Sequence, residues 1–340
     1  MNIFQLLGGR ILWAGDGDSL QGLVLSLMPE MLEVTMKQAQ AERDLYHGRR
    51  AQRSKLIGEQ REKVTAALAA GGVTLKVDNS TDDGDGEDED AEKAYFSSAP
   101  LTKLDNGVGM ITVNGPLVNS DKWYLKYLGQ VGYPHIQDSL VRAYNDPEVT
   151  SLLMNYTTPG GAVSGIGETV DAIRAVNQMM PVSSFATGQM LSGGYWLGTA
   201  AGPIMSAPLT QHGSIGVIMT HMEYSKMLDN AGITATVLRE GKYKALMTPY
   251  EPLSDAAKAQ AQDDMKVIYG AFTQSVATGR GVPLDVADKQ MGQGRVFWTD
   301  DALAKGMTDR VGTLSDAVAK SADLADTRAR QASGVSRFTF

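Results

Sequence analysis

The sequence predicts a layered α/β fold with a largely parallel sheet and an N-terminal helical extension. Three observations carry this. First, residues 149–156 are β-prone and run into the turn Thr157-Thr-Pro-Gly-Gly161. Residues 164–177 follow with Ile166, Val170, Ile173 and Val176 at helical spacing. Second, the same strand-turn-helix unit recurs: residues 182–187 are β-prone, Gln189-Met-Leu-Ser-Gly-Gly194 is the turn, and Tyr195-Trp-Leu-Gly-Thr-Ala-Ala201 is apolar and of helical length. Repetition of this unit is how a parallel sheet is wound, since each crossover returns the chain to the same sheet edge direction. Third, 37 of the 340 residues are glycine, many of them paired at these turns.

Taken in order, residues 1–78 read as an N-terminal helical region. Pro29 breaks or starts a helix, and the apolar positions Leu32, Met36, Leu45, Leu56, Val64 and Leu68 are sparse, as expected of an exposed helix or helical hairpin. The cluster Arg49, Arg50, Arg53 and Lys55 reads as a solvated helix face. Residues 79–95 form an acidic linker that lacks the apolar surface to fold, and residues 96–324 form the main domain. Within it, a strand over 109–118 is interrupted by Gly115-Pro116, and residues 136–144 look helical. Strands are expected at 203–207, 213–219 and 234–239. Helices are expected at 222–231, at 254–278 with Ser254 as cap, and at 299–307 with Gly306 as terminator. Residues 325–340 are expected to be a flexible polar tail.

Composition narrows the function classes. The formal charge is −8, but between Thr81 and Lys93 eight acidic residues face one lysine, a net −7, so the rest of the chain is nearly neutral. Such a chain is a poor match for nucleic acid as main partner. The absence of cysteine removes disulfides, thiolate metal sites and cysteine nucleophiles. No carboxylate-histidine cluster has metal-ligand spacing and no phosphate-binding loop occurs, so neither metal nor cofactor is expected. The early apolar run at 20–28 is too short for a membrane span, and the start has no signal-peptide pattern. A cytoplasmic protein without a membrane anchor is the expectation.

Ser192 stands between a strand and an apolar helix. Its plain reading is a helix N-cap; the alternative is a hydroxyl presented on a tight turn. The Gly-x-Ser-x-Gly elbow pattern is missing, because Met190 holds the first glycine's place. Of the four histidines, His212 is nearest to a candidate turn and reads as a polar loop residue. A lysine can replace histidine as base when its ammonium loses hydration. Lys242 and Lys244 both qualify, and alternation in an extended segment would put them on one face with Tyr243 opposite; a surface lysine pair is the plain reading.

Five segments then occur together and in register: Tyr156-Thr-Thr-Pro-Gly-Gly161, Met190-Leu-Ser-Gly-Gly-Tyr195, Gly213-Ser-Ile-Gly-Val217, Gly241-Lys-Tyr-Lys244 and Trp298-Thr-Asp-Asp-Ala-Leu-Ala-Lys-Gly-Met-Thr-Asp309. Over residues 105–320 this resembles the Ser-Lys peptidases of the bacterial signal peptide peptidase A and phage capsid-maturation protease family. The resemblance implies a crotonase/caseinolytic-protease-like fold with Ser192 as nucleophile and Lys244 as general base. It further implies that Ser214 orients the lysine and that Gly161 and Gly193 supply oxyanion N–H groups. Two positions depart from the pattern: His212 stands where the family commonly has Thr, and Thr158 where it commonly has Ser. The charged N-terminal region, in place of the membrane-bound branch's anchor, and the run Thr248-Pro-Tyr to Pro252-Leu-Ser-Asp255 resemble the phage branch. That branch implies cleavage of scaffold and capsid proteins within a procapsid in the host cytoplasm, by a homo-oligomer whose sites are completed between subunits. Other readings are a peptide-degrading bacterial enzyme, a crotonase-fold enzyme acting on acyl-coenzyme A, and a non-catalytic assembly protein on the same fold.

Overall fold

Ser151–Thr158 is buried on both faces along nearly its whole length, with the apolar run Leu152-Leu-Met154 at its centre, which places it at the middle of a covered sheet. In the computed structural model, which describes residues 33, 35–48, 93–104 and 106–332, the strands are β1 (Leu101–Lys103), β2 (Val108–Asn114), β3 (Leu117–Val118), β4 (Val131–Gly132), β5 (Ser151–Thr158), β6 (Val182–Leu191), β7 (Ile204–Ser206), β8 (Gln211–Gly213), β9 (Val296–Trp298) and β10 (Arg310–Val311). The main sheet has the order β1-β2-β5-β6-β7-β10, with β1 antiparallel at one edge and the remainder parallel. The predicted layered α/β fold is therefore present.

The longest strand, β6, serves two partners. Its first half pairs with β7 through Ser184–Ala186 and its second half with β8 through Gln189–Leu191. Between them the register against β5 shifts, and Gly188 takes φ 74°, a bulge that redirects the strand. The second half thus leaves the plane of the sheet and ends at Ser192, with β9 antiparallel on the far side of β8. β3 and β4 form a separate parallel pair, and Leu117 bridges to Gly161.

Helices cover both faces. One carries α1 (Tyr133–Asn145), α2 (Ile166–Met179), α3 (Gly193–Ala200) and the long α4 (Asp255–Arg280), packed over a core that includes Ile111, Leu152, Met154, Ile173, Leu197 and Phe272. The other carries α5 (Leu314–Ala332), whose Ala317 meets Val108, Leu153, Phe185 and Met205. Ser254 caps α4 as expected, its hydroxyl accepting from the Ala257 N–H. The helical stretch 35–48 packs on the domain through Tyr46 against Tyr95 and through Glu42, which accepts from the Tyr95 hydroxyl and pairs with Lys126.

Several expectations are corrected. Residues 93–95, assigned to the linker, are helical together with Phe96, which is buried against Trp123; the rest of the linker and most of the 1–78 region lie outside the described residues. The chain from 325 to 332 is helix, not tail, and Arg328 donates to the carbonyls of Asn177 and Gln178. The strand expected at 213–219 ends at Gly213, and no strand forms at 234–239. Residues 217–253 instead make an excursion containing only the short helix Ser225–Asn230, closed by Tyr224 N–H to the Pro249 carbonyl and by an Arg239–Glu251 ion pair. Its apolar side chains are open to solvent: Ile218 is 95% and Leu238 91% exposed, and Met222, Met227, Ile233 and Tyr243 are exposed with them. No helix among the described residues is long and apolar enough to cross a membrane.

Candidate active site

The site begins where β6 and β8 end side by side. Leu191 is in register with Gly213, so Ser192 and Ser214 stand next to each other one step beyond the pairing. The Ser192 N–H donates to the Gly213 carbonyl at 2.7 Å and the Ser214 N–H to the Arg295 carbonyl at 2.7 Å, which anchors both turns from below. Both serines have left-handed backbones, φ 49° and φ 51°. For Ser192 the pair φ 49°, ψ −123° is a conformation that L residues rarely hold. Such strain persists only where the surroundings enforce it, and here the paired strand below and the helix above both do.

Ser192 occupies the N-cap position of α3, yet its hydroxyl makes no capping bond. The cap reading is therefore corrected: Ser192 starts the helix through its backbone, and its hydroxyl bonds to none of the first-turn N–H groups. The side chain is half-buried. At the start of α3 the Gly193 N–H has no intrahelical acceptor by position, and the helix dipole adds positive character there.

The turn after β5 closes the other side. Gly160 has φ +93°, and a Cβ built on it would lie 2.5 Å from Ser192 Cβ and 2.9 Å from Gly193 N, so this chain segment passes in direct contact with the serine. Leu117 holds the segment by two bonds of 2.8 Å, its N–H to the Gly160 carbonyl and its carbonyl from the Ala162 N–H. In that pairing the Gly161 N–H points away from Leu117, and it has no acceptor among the described residues. Gly161 and Gly193 thus offer two unengaged N–H groups beside one strained serine, an arrangement able to receive a developing oxyanion. Gly160 was not singled out from the sequence, although the Pro-Gly-Gly triplet signals it.

The lysines are elsewhere. Lys242 and Lys244 both lie exposed in a turn of the 217–253 excursion, Lys244 N–H donating locally to the Gly241 carbonyl at 3.0 Å, and no hydrogen bond joins Lys244 to Ser192 or Ser214 within the chain. The expected face-sharing of an extended segment is replaced by the turn. His212 is not a loop residue. It lies in β8, fully buried, with Nε2 2.7 Å from the Ser206 hydroxyl and Nδ1 without a partner. Burial, with the Arg280 charge adding to it, pushes it down to about 4, so it is a neutral core group and bonds to Ser206 rather than to Ser192.

A model of peptidase family S49 matches residues 174–328, a span containing Ser192, Ser214 and Lys244. The capsid assembly protease C of Escherichia phage lambda is 30% identical over 229 residues, which cover 67% of this chain and 52% of that protein. The head-tail preconnector protein GP5 of Enterobacteria phage P21 is 26% identical over 220 residues, 65% of this chain and 44% of that protein. A putative signal peptide peptidase SppA of Enterococcus faecium is 25% identical over 234 residues, 66% of this chain and 68% of that protein. The chain matches peptidase family S49 over residues 174–328. It spans about half the length of the lambda relative. The S49 match takes in both the Ser192 turn with β8 and the mostly exposed 217–253 excursion, Lys244 included.

Proposed function

We propose that the chain is a serine endopeptidase that cleaves scaffold and capsid proteins during phage procapsid maturation, using a Ser192–Lys244 dyad. The observation that carries the reading is the strained, uncapped Ser192 in contact with the Gly160-Gly161 turn. Its likeness to two phage head proteins, one named a capsid assembly protease, supports the substrate class.

In this mechanism Ser192 Oγ adds to the scissile carbonyl carbon while the neutral Lys244 amine takes its proton. The Gly161 and Gly193 N–H groups receive the oxyanion, a contribution of roughly 2.7–4 kcal/mol for each such donor. Lys244 then returns the proton to the leaving amine, and a water molecule activated by the same amine releases the acyl group. Ser214, beside Ser192 on the neighbouring strand, orients the amine.

Lys244 reaches Ser192 in the assembled oligomer. A single chain leaves the lysine exposed on an excursion whose Ile218, Leu238 and Met222 are unburied, a state that packing against a second copy relieves. The test is incubation of the full chain with the capsid and scaffold proteins encoded beside its gene, read by mass spectrometry. Cleavage is expected from wild type, none from Ser192→Ala or Lys244→Ala alone, and recovered cleavage from the two variants mixed. Undiminished cleavage by Ser192→Ala overturns the peptidase reading; silence of the mixture overturns the shared site.

A further inference from the structure

We propose that Tyr133 and Thr158 are positioning residues that clamp the chain on either side of Gly161 and so aim its N–H at the oxyanion; this rests on the Ser192 peptidase reading above. The backbone groups of Gly160 and Ala162, on either side of that N–H, are all engaged. The Gly160 carbonyl and Ala162 N–H are bound to Leu117 at 2.8 Å each. The Gly160 N–H donates to Thr158 Oγ1 at 3.1 Å, and Thr158 Oγ1 itself donates to the Gly115 carbonyl at 2.7 Å. The Tyr133 hydroxyl donates to the Ala162 carbonyl at 2.6 Å. Pro159 has no N–H, so of the backbone N–H groups of residues 159–162 only that of Gly161 is left for a ligand.

The two side chains act from different elements, which makes the clamp rigid. Thr158 is the last residue of β5 and fully buried, and its methyl lies where a Cβ on Gly194 would come within 2.3 Å, so it also fixes the distance between the turn and α3. Tyr133 is the first residue of α1, fully buried, and its hydroxyl lies 3.5 Å from the Cβ position of Gly193. Tyr133 therefore touches both donor-bearing segments, and Thr158 spans the same gap one layer below. Neither side chain has a polar group left over for substrate: each hydroxyl donates its hydrogen to a backbone carbonyl. Removing the Tyr133 hydroxyl frees the Ala162 carbonyl, so the 162–163 peptide can turn and the backbone that follows Gly161 loses its outer anchor. Slack on that side lets the Gly161 φ and ψ drift, which tilts the 160–161 peptide against its Leu117 bond and carries the Gly161 N–H off its target without altering any group that contacts the substrate ground state.

The test compares wild type with Tyr133→Phe, Thr158→Ser and Thr158→Val as full chains, by steady-state cleavage of fluorescently labelled casein and by inhibition with a peptide boronic acid. In the boronate adduct Ser192 Oγ adds to boron, its proton passes to the base, and one boron-bound hydroxyl takes the oxyanion position. For Tyr133→Phe, kcat is expected to fall about 10-fold, less than the ~10²–10³-fold typical of losing an oxyanion donor outright. The boronate affinity should fall in parallel while KM and the melting temperature stay near wild type. Thr158→Ser should restore most of what Thr158→Val loses. Wild-type kcat and boronate affinity in Tyr133→Phe overturn the clamp, as does equal loss in Thr158→Ser and Thr158→Val. Absence of Ser192-dependent cleavage by wild type removes the peptidase reading and the clamp with it, an outcome distinct from either of these.

Discussion

At the scale of single residues, the site is made by backbone conformation more than by unusual side chains. Gly160 shows this best: with φ +93° and Ser192 Cβ 2.5 Å from its Cβ position, it admits no side chain. Gly160→Ala should cost about 1–3 kcal/mol of stability from backbone strain and abolish peptide cleavage, read by melting and by kcat/KM; retained kcat/KM would contradict the contact. Sequence motifs named Ser192, Ser214, Gly161 and Gly193 because turns written in glycine and serine are local in the chain. Thr158 was visible only as a departure, and Tyr133 not at all, since its bond to the Ala162 carbonyl spans 29 positions. His212 was misread because its burial and its bond to Ser206 at the end of β7 arise only when β7 and β8 both pair with β6. Its folded state sits at about 4 against an ordinary 6.5, so its contribution is fully present above pH 6.5 and is lost as pH falls toward 4. At about 1.4 kcal/mol per unit of difference, denaturant midpoints should fall between pH 6.5 and 4.5 more steeply in wild type than in His212→Gln. Parallel slopes would contradict a buried neutral imidazole.

At the scale of elements, strands and helices that bury a face were legible, and those that serve another surface were not. β5, β6, α2 and α4 appeared within a few residues of expectation, because apolar periodicity is set by the core they cover. Residues 234–239 have the composition of a strand, but their apolar side chains face solvent, with Leu238 91% exposed, and no neighbouring strand is available to pair with them. The helix carrying Ser192 at its start is held from above by α4: Trp196 and Phe272 stack with centroids 4.5 Å apart and planes 7° from parallel. Phe272→Ala removes that support and should destabilise the domain by ~3–5 kcal/mol, with a matching loss of activity near the melting transition. Denaturation unchanged from wild type would show that α3 does not depend on this packing.

At the scale of the whole molecule, the fold divides the proposed chemistry between two parts. The body holds Ser192, Ser214 and the two free N–H groups in a rigid frame of paired strands, and the 217–253 excursion carries Lys244 away from it. The sequence placed both parts in one motif series but could not show their separation, since spacing along a chain says nothing of where an excursion folds. The helical stretch at 35–48 adds a third part, seated on Tyr95, Phe96 and Lys126 at a distance from Ser192 in the chain. What unites the account is an Oγ activated by one particular lysine. The direct measurement is the cleavage rate of a labelled protein substrate by the chain carrying Ser192→Ala, Lys244→Ala or Lys242→Ala. Loss of cleavage in the first two with most activity kept in the third is the predicted result; a Lys242→Ala variant that is dead while Lys244→Ala still cleaves would contradict it.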